Sequence, residues 1–190
     1  MNSCIVSIRP EWVKKIVDRE KTFEVRKSAP KEVPFKAYIY CTRIIDKKHC
    51  RDEFDIGIWK GNEHIIGEFI CDKVYNLVNA FGGIVFADEN LNQLDPQLFR
   101  DMSCLTDEQT ADYLGDKDGY GWHISDLKIY DKPKELSEFY TIPKSGSDCC
   151  FGCLWNATPL DEMPCRTCKR ERKYLYRPPQ SYMFVEEVEQ

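Results

Sequence analysis

The chain has 190 residues, 42% of them hydrophobic and 13% aromatic, enough for one ordinary core and short for two. Its net charge of −5 excludes a uniformly basic nucleic-acid coat, though not a local basic patch, and no run approaches the roughly 20 apolar residues of a membrane span. Arg9, Lys14 and Lys15 break up the N-terminus where a secretory leader would be apolar, so the expectation is one soluble, cytoplasmic domain with reduced cysteines.

Residues 4–8 read as an apolar strand, and the helix after it is well marked. Pro10 suits a first helical position, Glu11 suits the positive end of the helix dipole, and Trp12, Val13, Ile16 and Val17 form one apolar stripe. A short strand follows, reading Lys21-Thr22-Phe23-Glu24-Val25-Arg26. Alternation sends Phe23 and Val25 to a core and puts Thr22, Glu24 and Arg26 on the opposite face, with Lys21 at the junction of helix and strand. An ammonium, a carboxylate and a guanidinium are thereby gathered at one corner.

Residues 36–42 and 64–74 read as further strands, and Gly61-Asn62 after Trp59 as a hairpin turn between two apolar runs. His49 and Cys50 with Cys41 have no standard metal-ligand spacing. From about 76 to 118 runs an acidic insertion expected to be helical. Thr106 with Gln109 three residues later is a capping box for a short helix through Leu114, ended by Gly115. Charge is uneven: residues 1–48 carry 12 Lys or Arg against 6 Asp or Glu, and residues 85–118 carry 2 against 9. Such poles orient a polyanion towards the N-terminal face unless they are merely solvated surface. In and just before the strand at 121–132, filling the interior is the default role for Tyr120, Trp122 and Tyr130, and His123 reads as a structural histidine.

Cys150-x-x-Cys153 and Cys165-x-x-Cys168 are spaced as two thiolate pairs for a tetrahedral Zn²⁺. With Cys149 in place of Cys150 the first pair becomes C-x₃-C, and both choices stay open. Four protein ligands leave no position for water, so this zinc would be structural, stapling an insertion at about 145–176. Cys4, Cys41, Cys71 and Cys104 lie in or beside apolar segments and read as buried thiols. After the last pair, Arg166, Lys169, Arg170, Arg172, Lys173 and Arg177 are interleaved with Tyr174 and Tyr176. Cations beside stacking rings suit single-stranded nucleic acid, and a solvated rim is the plain alternative. A closing strand is expected within 177–188.

The order of strand, Pro-opened helix and E-K-T-x-E-x-R resembles the ASCH domain, a small β-barrel family related to PUA domains. The family motif is G-x-K-x-x-E-x-R. Lys21, Glu24 and Arg26 match it, while Arg19 stands in the glycine position, where a left-handed turn would cost a side chain on the order of 1 kcal/mol. The segments at 36–42, 64–74, 121–132 and 177–188 resemble the remaining strands of longer, phage- or prophage-type members. The resemblance implies an α+β fold, a PUA-like β-barrel with flanking helices spanning residues 1–190. It also implies a cleft between first helix and barrel, flanked by the acidic insertion, with RNA or a modified nucleotide as ligand.

In that cleft Lys21, Thr22, Glu24 and Arg26 would bind, with Arg170, Lys173 and Tyr174 contributing from the basic run. Lys21 and Arg26 suit a phosphate or base carbonyl and Glu24 an exocyclic amine; a mere surface pairing of Glu24 with Arg26 is the alternative. One branch of the family implies a different activity, an amidohydrolase acting on an acylated cytidine-type nucleoside through a lysine, a threonine and a glutamate. Lys21 coincides with that lysine, Glu24 stands where the threonine would be, and Glu68 is a neighbouring-strand candidate for the glutamate. A protein-interaction adaptor is a third reading.

Overall fold

The computed structural model describes residues 1–43, 63–80, 83–141 and 174–187. The chain opens with β1 (Ser3–Ile8), α1 (Pro10–Val17), β2 (Phe23–Arg26) and β3 (Phe35–Cys41). The parallel pairing of β1 with β3, Cys4 opposite Ala37 and Ile8 opposite Cys41, requires the crossover that α1 and β2 supply. Both strands are apolar along their length because both faces are covered. Cys4, Val6 and Ile8 enter one core layer with Val13 and Ile16 of α1, and Ile5 enters a second layer with Tyr38, Phe139 and Val185.

Two bent segments join the sheets. β4 (Ile65–Cys71) runs through Asp72 and Lys73 into β5 (Val74–Ala80), and β7 (Gly119–His123) runs through Ile124 into β8 (Ser125–Lys134). At the bend, His123 N–H donates to Lys73 O at 3.0 Å and Ile124 N–H to Thr22 O at 2.9 Å. With β6 (Gly83–Ala87), β9 (Phe139–Thr141) and β10 (Tyr182–Glu187), the strands form a six-stranded sheet ordered β8-β4-β3-β1-β10-β9 and a four-stranded sheet ordered β2-β7-β5-β6.

The expected closed barrel is therefore corrected: among the described residues this is an α+β fold of two sheets sharing a corner. The physical reason lies in what covers β2 and β6. Helices α2 (Pro96–Ser103) and α3 (Asp107–Leu114) pack against these strands, where closure would need another strand. Phe23 and Val25 bury beneath the helices with Leu77, Phe86, Phe99 and Leu114, and Phe23 meets Phe86 and Phe99 edge-on at 5.7 and 6.1 Å. Gly121, opposite Val25, is required by that ring: a Cβ there would stand 1.5 Å from Phe23 Cε1.

The acidic segment 76–118 is likewise not helical throughout. Its first part is the β5–β6 hairpin, paired from Asn76–Ala87 to Ala80–Gly83, and only its second part is α2 and α3. In the hairpin the buried Leu77, Phe86 and Ala87 outweigh the surrounding acidity. α3 carries both halves of the capping box between Thr106 and Gln109, and Gly115 ends it at φ 64°. The hairpin expected at Gly61-Asn62 and the insertion at 145–176 lie outside the described residues.

Candidate functional site

The N-terminal corner builds a cleft of about 980 Å³ whose deep residues come from β2 and the turn that leads into it. Pro10 opens α1, and after Asp18 the chain turns through Arg19 at φ 61°, the left-handed conformation that the motif's glycine would adopt freely. Lys21 emerges beneath Trp12, its Nζ 5.3 Å from the ring centroid, and donates to Ser103 O at 2.7 Å. That carbonyl belongs to the last residue of α2, where the helix dipole favours a cation. The left-handed Cys104 (φ 56°) then turns the chain towards α3.

Lys21, Glu24 and Arg26 are only 2, 6 and 5% exposed. Glu24 stands between the cations, its Oε1 2.8 Å from Arg26 Nη2 and its Oε2 3.6 Å from Lys21 Nζ. Arg26 Nη2 also donates to Ser7 O at 2.6 Å, while its buried Nε has no hydrogen-bond partner among the described residues. Two cations and one carboxylate leave the floor one positive charge in excess. Burial draws the Lys21 ammonium below its ordinary pKa; Glu24 and Cys104 oppose that shift, and Arg26 adds to it.

Around this floor the cleft is lined by Arg9, Glu11 and Trp12 at the start of α1, by Leu105, Gln109, Asp112 and Tyr113 in and before α3, and by Thr42 and the stretch 178–180. Arg9, Glu11, Gln109, Asp112 and Tyr113 are exposed and form the rim. Gln109, Asp112 and Tyr113 share one face of α3 by their spacing, while Thr110 and Leu114 face inward. Sequence reasoning read α3 as a capped helix and placed it beside the cleft, but it assigned none of these three to a site. Their i, i+3, i+4 spacing on a helix with a weak apolar face is the signal that was available.

Other candidates lie elsewhere. Thr22 does not line the cleft; its backbone N–H donates to Met102 O at 2.9 Å, tying β2 to α2. Tyr174, 43% exposed, packs its ring 4.5 Å from Tyr140 beside the edge strand β9 and is also not a lining residue. Glu68 on β4 accepts from Tyr130 and Lys36 and likewise lies outside the lining. His123 pairs with Asp72 at 2.7 Å, and Trp122 is fully buried against Phe35 and Tyr182. Cys4, Cys41 and Cys71 are buried free thiols, whereas Cys104 is half-buried. Cys149, Cys150, Cys153, Cys165, Cys168, Arg170 and Lys173 lie outside the described residues, and among the rest no His, Cys, Asp and Glu group is arranged to hold a metal. No helix among the described residues is long and apolar enough to cross a membrane.

No protein-family model matches the chain, and no curated protein matches it. Among solved structures, the crystal structure of ASCH from Zymomonas mobilis is 17% identical, covers 98% of each chain and superposes with a TM-score of 0.50. Two single-residue variants of that protein are 18 and 20% identical, cover 72 and 70% of this chain and 77 and 74% of theirs, and give TM-scores of 0.46 and 0.47. The class is thus an α+β protein of two sheets with a polar cleft at the first helix-to-strand corner. Within that class, the chain has the fold of that ASCH structure.

Proposed function

We propose that the chain binds RNA or a nucleotide, taking one nucleotide unit into the cleft above Lys21, Glu24 and Arg26. One observation carries the reading: a floor more than nine-tenths buried holds an excess positive charge and a guanidinium N–H with no partner among the described residues. Leaving such groups uncompensated is costly, and an anionic or carbonyl-bearing ligand offsets that cost on binding. Lys21 and the Arg26 Nε meet a phosphate or a base carbonyl; Trp12 and Tyr113 offer rings to a base; Glu24 accepts from an amine.

The test is fluorescence anisotropy with short single-stranded RNA and thermal shift with the four nucleoside monophosphates. Lys21→Met should weaken binding at least about tenfold without lowering the melting temperature much. Unchanged binding in that variant would leave the cluster a structural ion pair.

The lowered pKa of Lys21 favours a second reading, since a lysine acts as base or nucleophile only when its proton is loosely held. In an amidohydrolase of an acylated cytidine-type nucleoside, Lys21 and Glu24 would carry the chemistry without Glu68. Release of acetate from 4-acetylcytidine that disappears in Lys21→Ala is the expected result, and no release by the wild type rejects it. The spacing of Cys150, Cys153, Cys165 and Cys168 supports a structural zinc. Elemental analysis should find one zinc per chain, lost in Cys153→Ser; metal-free native protein would reject the site.

A further inference from the structure

The floor and the rim of the cleft carry opposite electrostatic character. Below, Lys21, Glu24 and Arg26 sum to one positive charge. At the rim, Arg9 is outnumbered by Glu11 and Asp112, which come from two different helices. The side of the cleft formed by α3 is held firmly: the capping box fixes its first turn, and Thr110 and Leu114 anchor it inward. The Oε1 of Gln109 is occupied by the Thr106 N–H at 3.0 Å, which leaves its amide nitrogen as the donor available to a ligand. Tyr113 receives the Lys27 ammonium 5.3 Å from its ring centroid.

We infer that α3 is the selectivity wall of the cleft: through Asp112, aided by Glu11, it admits a base-bearing unit carrying at most one phosphate group and turns away polyphosphates and the continuous backbone of a strand. The inference rests on the nucleotide reading above. It names the form in which the ligand enters, a nucleoside, a monophosphate or a strand end. A single phosphate can reach the cationic floor, where desolvation makes the attraction strong, but every further phosphate must stay near the rim, where Glu11 and Asp112 outnumber Arg9 among the lining charges. Tyr113 and Trp12 offer aromatic faces to any base, so selection between nucleotides of one base falls on the phosphates.

The probes are the four nucleoside monophosphates and their triphosphates, with affinities measured calorimetrically for the full chain at low salt. The wild type should prefer each monophosphate to its triphosphate. Asp112→Asn should shrink that ratio by roughly 3- to 10-fold, and raising salt to about 1 M should shrink it in the wild type as well. Asp116→Asn removes the same charge just beyond the helix, from a residue outside the lining, and should leave the ratio unchanged. If monophosphates bind and Asp112→Asn leaves the ratio where it was, or changes it no more than Asp116→Asn does, the selectivity wall is wrong while the binding cleft stands. If the wild type binds none of the eight probes, the nucleotide reading fails and this inference falls with it.

Discussion

Lys21, Glu24 and Arg26 are individually ordinary surface residues that here are almost entirely buried, and their substitutions should separate sharply. Lys21→Met leaves Glu24 and Arg26 as a neutral pair at 2.8 Å and removes an ammonium that burial disfavours, so stability should hold or rise. Glu24→Gln leaves two buried cations without their carboxylate and should cost about 3–5 kcal/mol. Urea denaturation of the two variants at neutral pH checks the contrast, and equal losses in both would contradict it. Because the folded pKa of Lys21 lies below its ordinary value of 10.5, the unfolded chain holds this proton more tightly. Its contribution to stability therefore grows as pH rises from the folded pKa towards 10.5. Arg19 belongs to the same scale: at φ 61° it bears a strain of about 1 kcal/mol that the motif's glycine would avoid.

At the scale of elements, α3 shows how a local signal and a site depend on each other. It has eight residues, too few to persist alone in water, and its apolar anchoring is Leu114 against Phe23 and its neighbours. The Thr106 and Gln109 cap therefore holds much of its first turn. Thr106→Ala should cost about 1 kcal/mol of global stability and speed amide exchange at residues 107–110 more than in the sheets. The same variant should loosen the wall formed by Gln109, Asp112 and Tyr113. Uniform exchange across the protein would show that α3 is not separately held. β2 depends on its neighbours equally: four residues with Phe23 and Val25 inward, it keeps its register only because Gly121 leaves room for the Phe23 ring.

Over the whole molecule, alkali should be the weak side. Burial raises the thiols of Cys4, Cys41 and Cys71 from 9.0 to about 12; Cys71 adds to the shift of Cys4, Asp72 to that of Cys71 and Glu11 to that of Cys41. Between those values the folded chain keeps protons that the unfolded chain releases, so stability is full below pH 9 and falls as pH rises towards 12. The slope is about 1.4 kcal/mol per pH unit for each thiol. Three thiols outweigh the opposite contribution of Lys21. Unfolding free energies measured from pH 8 to 11 should decline above 9, and Cys41→Ala should make the decline shallower by about 1.4 kcal/mol per pH unit, whatever its cost at neutral pH. A flat profile would mean these thiols are not sequestered.

The linear chain by itself determined the helix at Pro10, a strand ending at Arg26, the Thr106 cap and the apolar character of β1 and β3, because each follows from residues within a few positions of one another. Left-handed geometry at Arg19 came instead from the ASCH resemblance, whose motif has glycine at that position. Only the tertiary structure decided that the sheets stay open, since that depends on α2 and α3 covering β2 and β6. It alone decided that the hairpin of β5 and β6 breaks the acidic segment, as Leu77 and Phe86 must find Phe23 to be buried. The cleft walls were hidden longest: Trp12, Asp112 and Pro179 lie far apart along the chain and meet at one hollow only because α1, α3 and the approach to β10 converge around β2.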